Sequence, residues 1–122
     1  MSADDKAAIT QVITQYVEAY LAADIDALCD VFARDAVMNG YVGDRLVVGS
    51  PNVFVDNVGK NPSIASLGGN PTYEMGEIEI RGNAAAVTLQ EHGFGEMNFT
   101  DFMHLLKRDG TWKIISKTFS TF

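Results

Sequence analysis

Residues 98 to 119 read NFTDFMHLLKRDGTWKIISKTF, and no other stretch restricts the fold as much. Two runs rich in apolar and β-branched residues flank Lys107-Arg108-Asp109-Gly110-Thr111. An Asp-Gly pair between such runs predicts a hairpin, because glycine accepts the positive φ of a tight turn. Each run is about nine residues, long for a strand. Alternation puts Phe99, Asp101, Met103 and Leu105 on one face of the first run and Phe102, His104 and Leu106 on the other. On the second run, Trp112 and Ile114 oppose Lys113, Ile115 and Lys117. Neither face of the first run is cleanly polar, so both are expected to be covered. Asp101 is a charge in an apolar row, a conflict that marks a candidate functional position.

The rest of the chain supplies the layers around this hairpin. Ile9, Val12, Ile13, Tyr16 and Tyr20 recur at helical steps and predict a helix over 4–22, with Ser2 and Asp5 as its capping residues. Asp24 caps a second helix running to about Arg34, with Leu28, Val31 and Phe32 inward and Cys29 filling space beside them. Asp35 then holds a turn. Residues 37–41 and 45–48 form a short hairpin. Ser50-Pro51 opens a third helix, carrying Val53, Phe54 and Val58 and ending at Gly59. Residues 60–71 are irregular, either mobile or a rim. Residues 72–80 and 84–94 form a second long hairpin, which joins the first as an antiparallel meander. The expected class is α+β: three N-terminal helices packed on a strongly curved antiparallel sheet, in one domain over residues 1–122. The opposite sheet face is expected to be covered by a second copy, as a homodimer.

Charge and motifs exclude several functions. The net charge of −7 argues against nucleic acid and favours positive or neutral ligands. The single cysteine, Cys29, fits a reducing compartment, and the acidic start lacks the pattern of a signal peptide. No apolar run approaches a membrane span, so a cytoplasmic protein without membrane contact is expected. His92 and His104 lie on different strands, and no metal-ligand spacing, phosphate loop or nucleophile elbow occurs. No metal and no cofactor is therefore expected.

Two residues remain for chemistry. Tyr16 lies mid-stripe on the first helix, where core and pocket placements are equally consistent with its hydroxyl. Asp101 either pairs with Lys113 or Lys117, or sits neutral in a dry pocket. In the second case Tyr16 and Asp101 form two donors able to hold an oxyanion. Tyr20, Phe32, Tyr41, Phe54, His92 and Met103 complete the candidate lining, one suited to an apolar or aromatic small molecule.

The stretches QYVEAYLAADIDALCDVFARDAVMNG and FTDFMHLLKRDGTWKIISKTF together resemble the NTF2-like superfamily, which includes SnoaL-like and ketosteroid-isomerase-like proteins, and most of all its putative lumazine-binding group. The resemblance implies a conical α+β barrel with an apolar pocket, usually homodimeric. It carries the isomerases' oxyanion-hole tyrosine onto Tyr16 and their aspartate onto Asp101. Their general base falls on Gly40, beside Asn39, and neither residue is a carboxylate. The expected function is small-molecule binding. One alternative is a cofactor-independent isomerase, dehydratase or cyclase, with a base drawn from Asp35, Glu74, Glu91 or His92 at the rim. The other is a structural dimer with a filled core.

Overall fold

Helix α1 spans Ala3–Ala22 in the computed structural model, which describes residues 3–122. The Ser2 cap lies outside the described residues. Ile9, Ile13, Tyr16 and Val17 are fully buried on one face of α1, as their spacing predicts. At its start, Asp5 accepts hydrogen bonds from Trp112 Nε1 at 3.0 Å and Lys107 Nζ at 2.9 Å. These bonds tie the first turn to the C-terminal hairpin.

Helix α2 (Ile25–Asp30) is capped by Asp24, whose side chain accepts from the Ala27 amide at 3.2 Å. It stops four residues short of the expected Arg34, because strand β1 (Phe32–Val42) takes over. Ile114 donates its amide to the Val31 carbonyl at 2.9 Å, so pairing with a distant strand ends the helix. Two expectations fall with this boundary. Asp35 lies in a strand, bonded by Arg108 Nη2 at 2.7 Å, and holds no turn. Cys29 is exposed and fills no core space.

Strand β2 (Arg45–Gly49) pairs with β1, and Ser50 caps helix α3 (Pro51–Lys60). A 3-10 turn at Ile64–Leu67 interrupts the irregular stretch. The strand expected over 72–80 is broken into β3 (Thr72–Met75) and β4 (Glu79–Arg81), both paired with β5 (Ala84–Phe94). Between them the chain leaves the ladder after Gly76 donates to the Thr88 carbonyl at 2.8 Å. Strands β6 (Met97–Arg108) and β7 (Thr111–Thr121) form the C-terminal hairpin. Asp109 and Gly110 have φ of 52° and 79°, the two positive values of a primed turn.

The strand order is β2-β1-β7-β6-β5-β3, with β4 also on β5. The meander from β3 and β4 through β5 and β6 to β7 is antiparallel, as expected. Strand β1, however, runs parallel to β7, so the sheet is mixed and not wholly antiparallel. The reason is where α2 delivers the chain: Phe32 enters beside Ile114, near the start of β7. The edge strands do not pair with each other, so the curved sheet stays unclosed and the helices pack against it.

One irregularity decides the interior. Leu105 pairs with Ile114, but His104 pairs with Ser116, leaving Ile115 as an extra residue. Such a bulge reverses the alternation beyond it. Ile114 and Lys117 therefore both face inward, which corrects the strict-alternation reading of Lys117. The inner face carries one row of Met38, Lys117, Met103 and Val87 and another of Gly40, Phe119, Asp101 and Leu89.

Candidate functional site

The buried charged side chains among the described residues are Glu91, Asp101 and Lys117. They lie on neighbouring strands. Asp101 faces Leu89, and Glu91 is two residues further along β5, opposite Phe99. On the other side Asp101 faces Phe119, and Lys117 is two residues back along β7. Same-face diagonal neighbours of this kind come within reach of long side chains. The charges thus follow a diagonal across three strands.

Lys117 Nζ donates to the Tyr16 hydroxyl at 2.5 Å. It also sits 4.2 Å from the ring centre of Phe54, 5.0 Å from Tyr16, 5.1 Å from Phe119 and 5.9 Å from Tyr20. Aromatic faces attract a cation at these distances, so the ammonium is caged by rings. No ion pair joins it to either acid, and Lys113 bonds Asp30 instead. Asp101 is near enough to Glu91 to oppose its ionisation. Yet none of the four carboxyl oxygens reaches hydrogen-bond geometry with a protein group.

Burial and neighbouring charge set the protonation states. Burial first, then Asp101, raise the Glu91 pKa from 4.5 to about 9, with Lys117 partly offsetting them. Glu91 is therefore protonated at neutral pH. Burial, then Glu91 and Asp101, push the Tyr16 hydroxyl well above its ordinary range, and Tyr20 is raised by the same causes. Both phenols stay neutral.

A pocket of about 790 Å³ opens over this cluster. Glu91 and Lys117 reach its surface among Tyr20, Met38, Phe54, Phe94, Phe99 and Phe119. Its mouth lies between β2, α3 and the 3-10 turn, where Leu46, Val48, Val53 and Leu67 are exposed. The irregular stretch is thus part of a rim.

The candidate residues divide by position. Tyr20 and Phe54 line the pocket. Tyr16, Asp101 and Met103 are fully buried and absent from its lining. Phe32 packs edge-on against Tyr16, 6.1 Å between ring centres. Tyr41 pairs with Ser120 and is about half exposed. His92 Nε2 lies 3.6 Å from Glu74 Oε1, and its ring packs edge-on to Phe122. Sequence reasoning missed Lys117 as a pocket group and placed Glu91 only at the rim. The signal for Glu91 was its shared parity with Val87 and Leu89. Lys117 was expected only as an ion-pair partner of Asp101, because the bulge hid its inward parity.

The isomerase base position is closed. A Cβ on Gly40 would stand 2.1 Å from the Phe119 carbonyl oxygen, so no side chain fits on this backbone. Among the described residues no group of three or more His, Cys, Asp or Glu is placed to hold a metal ion. No helix is long and apolar enough to cross a membrane.

A family model described as putative lumazine-binding matches residues 4–120. No curated protein matches the chain. Among solved structures, an NTF2-like protein of unknown function from Methylobacillus flagellatus KT is 28% identical, with a TM-score of 0.90 over 100% of this chain and 95% of its own. Another NTF2-like protein of unknown function, from Shewanella baltica OS155, is 25% identical, with a TM-score of 0.89 over 100% and 97%. A putative dehydratase from the NTF2-like family, from Streptomyces avermitilis, is 14% identical, with a TM-score of 0.69 over 100% and 99%. That last likeness is one of fold alone.

Proposed function

The chain belongs to the putative lumazine-binding family of NTF2-like proteins, and on that premise we propose that it binds a small, flat, largely apolar molecule with one polar end. The observation that carries this reading is the floor of the pocket. Glu91 and Lys117 are the buried charged-type side chains of a largely apolar lining, whose other such group, Arg45, is exposed, and the Glu91 oxygens lack protein partners. Few polar groups in an apolar concavity orient a ligand, and the walls supply the affinity. Protonated Glu91 offers one donor and one acceptor, and Lys117 offers donors only. Lumazine, the flat heteroaromatic compound in the family's description, shares the shape of this class but is more polar. The outer sheet face is proposed to pair with a second copy.

The test is a titration of lumazine and of a polarity-sensitive anilinonaphthalene dye. Each is expected to bind saturably, once per chain, and to displace the other. Met38→Trp places a large ring in the pocket wall and is expected to abolish both. A folded protein that binds neither would refute the reading.

A further inference from the structure

Resting on that pocket reading, we propose that the pocket floor is a site for an organic ammonium: a protonated amine on a flat apolar body, facing the Glu91 carboxyl beside the ring cage that encloses Lys117 Nζ.

Three observations point to a cation. First, Glu91 lines the pocket with both carboxyl oxygens buried and without a partner in hydrogen-bond geometry. A buried acceptor without a partner is costly, and an ammonium brings three donors and no acceptor. Second, the rings of Phe54, Tyr16, Phe119 and Tyr20 already surround one ammonium, that of Lys117. The cage is thus suited to positive charge. Lys117 directs its hydrogen bond to the Tyr16 hydroxyl and bonds neither acid. Third, the chain carries a net charge of −7, which attracts cations over a distance.

The site has a pH signature. Glu91 is faced by Tyr16 and Tyr20 from α1, Asp101 from β6 and Lys117 from β7. A cation beside it favours its ionised form, so binding releases a proton. Amine affinity then rises with pH until Glu91 is ionised in the free protein. A neutral ligand held by the protonated acid follows the opposite trend.

The experiment is calorimetric titration of the full chain with phenethylamine, 2-phenylethanol and 3-phenylpropanoate. It is run at about pH 6.5 and about pH 8.5, in two buffers of different ionisation enthalpy. At the higher pH the amine is expected to bind about tenfold tighter than the alcohol, and the carboxylate most weakly. Amine affinity is expected to rise between the two pH values, with buffer-dependent heats reporting proton release. Glu91→Gln is expected to remove the pH dependence and the preference for amine. Alcohol binding as tight as amine binding, or amine affinity falling with pH, would overturn the ammonium site. Should Glu91→Gln not fold, the wild-type comparison still decides. Binding of lumazine or the alcohol without amine preference sinks this inference alone. Failure of lumazine, dye and all three probes sinks the pocket reading with it.

Discussion

Glu91 is an acid held without its charge, and that makes stability depend on pH in a particular direction. Its pKa in the fold is about 9 against 4.5 unperturbed, so the folded protein holds a proton that the unfolded chain releases. Its contribution is complete below about pH 4.5, falls as pH rises from there, and is gone above about pH 9. Asp5, Asp30 and Asp35 act in the opposite sense. Their pKa values are depressed by hydrogen bonds from Trp112 with Lys107, from Lys113 with Gln15, and from Arg108. Their contributions are present above the ordinary carboxylate range and lost as pH falls through it. Wild type is therefore expected to lose urea resistance between neutral pH and about pH 9, and Glu91→Gln to lose much less. Matching alkaline slopes for the two proteins would show that Glu91 does not hold its proton. Tyr16→Phe removes the acceptor that Lys117 uses while leaving the ring cage in place. A loss of about 1–3 kcal/mol is expected by urea unfolding, the usual cost of a buried polar group without its partner. At this scale the sequence was partly legible. Tyr16 and Asp101 stood out as polar groups in apolar rows, and both are fully buried. Glu91 shares the parity of Leu89 but was diluted among several exposed acids nearby.

Elements were more legible than their pairings. Helical spacing and the Asp-Gly turn placed α1, β6 and β7 closely, because each rests on local chemistry. The parallel pairing of β1 with β7 rests on residues about eighty positions apart, and no local pattern reports it. The bulge at Ile115 is likewise set by the partner strand, so strict alternation sent Lys117 to the wrong face. Gly40 shows how tightly the parallel pair is built. Its missing Cβ leaves room for the Phe119 carbonyl oxygen and ring, which lie 2.1 Å and 2.6 Å from where that atom would stand. The nearest contact is backbone, so the side chains cannot absorb the overlap. Gly40→Ala is expected to cost about 3 kcal/mol or more, the upper end for overpacking, with hydrogen exchange rising first along β1 and β7. Unchanged denaturant midpoints would mean that the two strands separate easily, contrary to the close approach at this point.

At the scale of the whole molecule, the open question is what covers the outer sheet face. Val37, Tyr41 and Phe102 stand there at 47%, 47% and 49% exposure. The positions paired around them are Asn39, Thr100, His104, Ser116, Thr118 and Ser120. This patch contains no Asp, Glu, Lys or Arg, although the chain carries a net charge of −7. Charge kept off one face of an acidic protein is what self-association requires, since two copies repel everywhere else. A homodimer through this face is therefore proposed, with the pocket mouth left open on the opposite side of the sheet. Two consequences separate it from non-specific sticking of apolar residues. Salt screens the repulsion between like-charged copies, so association should strengthen as ionic strength rises. Phe102→Asp should give a monomer that still binds lumazine or the dye, because Phe102 faces away from the pocket. Sedimentation velocity across a dilution series checks both points. A wild-type monomer at every concentration and salt level would remove the dimer and leave the apolar face unexplained. A dimer unaffected by Phe102→Asp would move the interface elsewhere, with the exposed Val53 and Leu67 at the pocket rim as the next surface to alter.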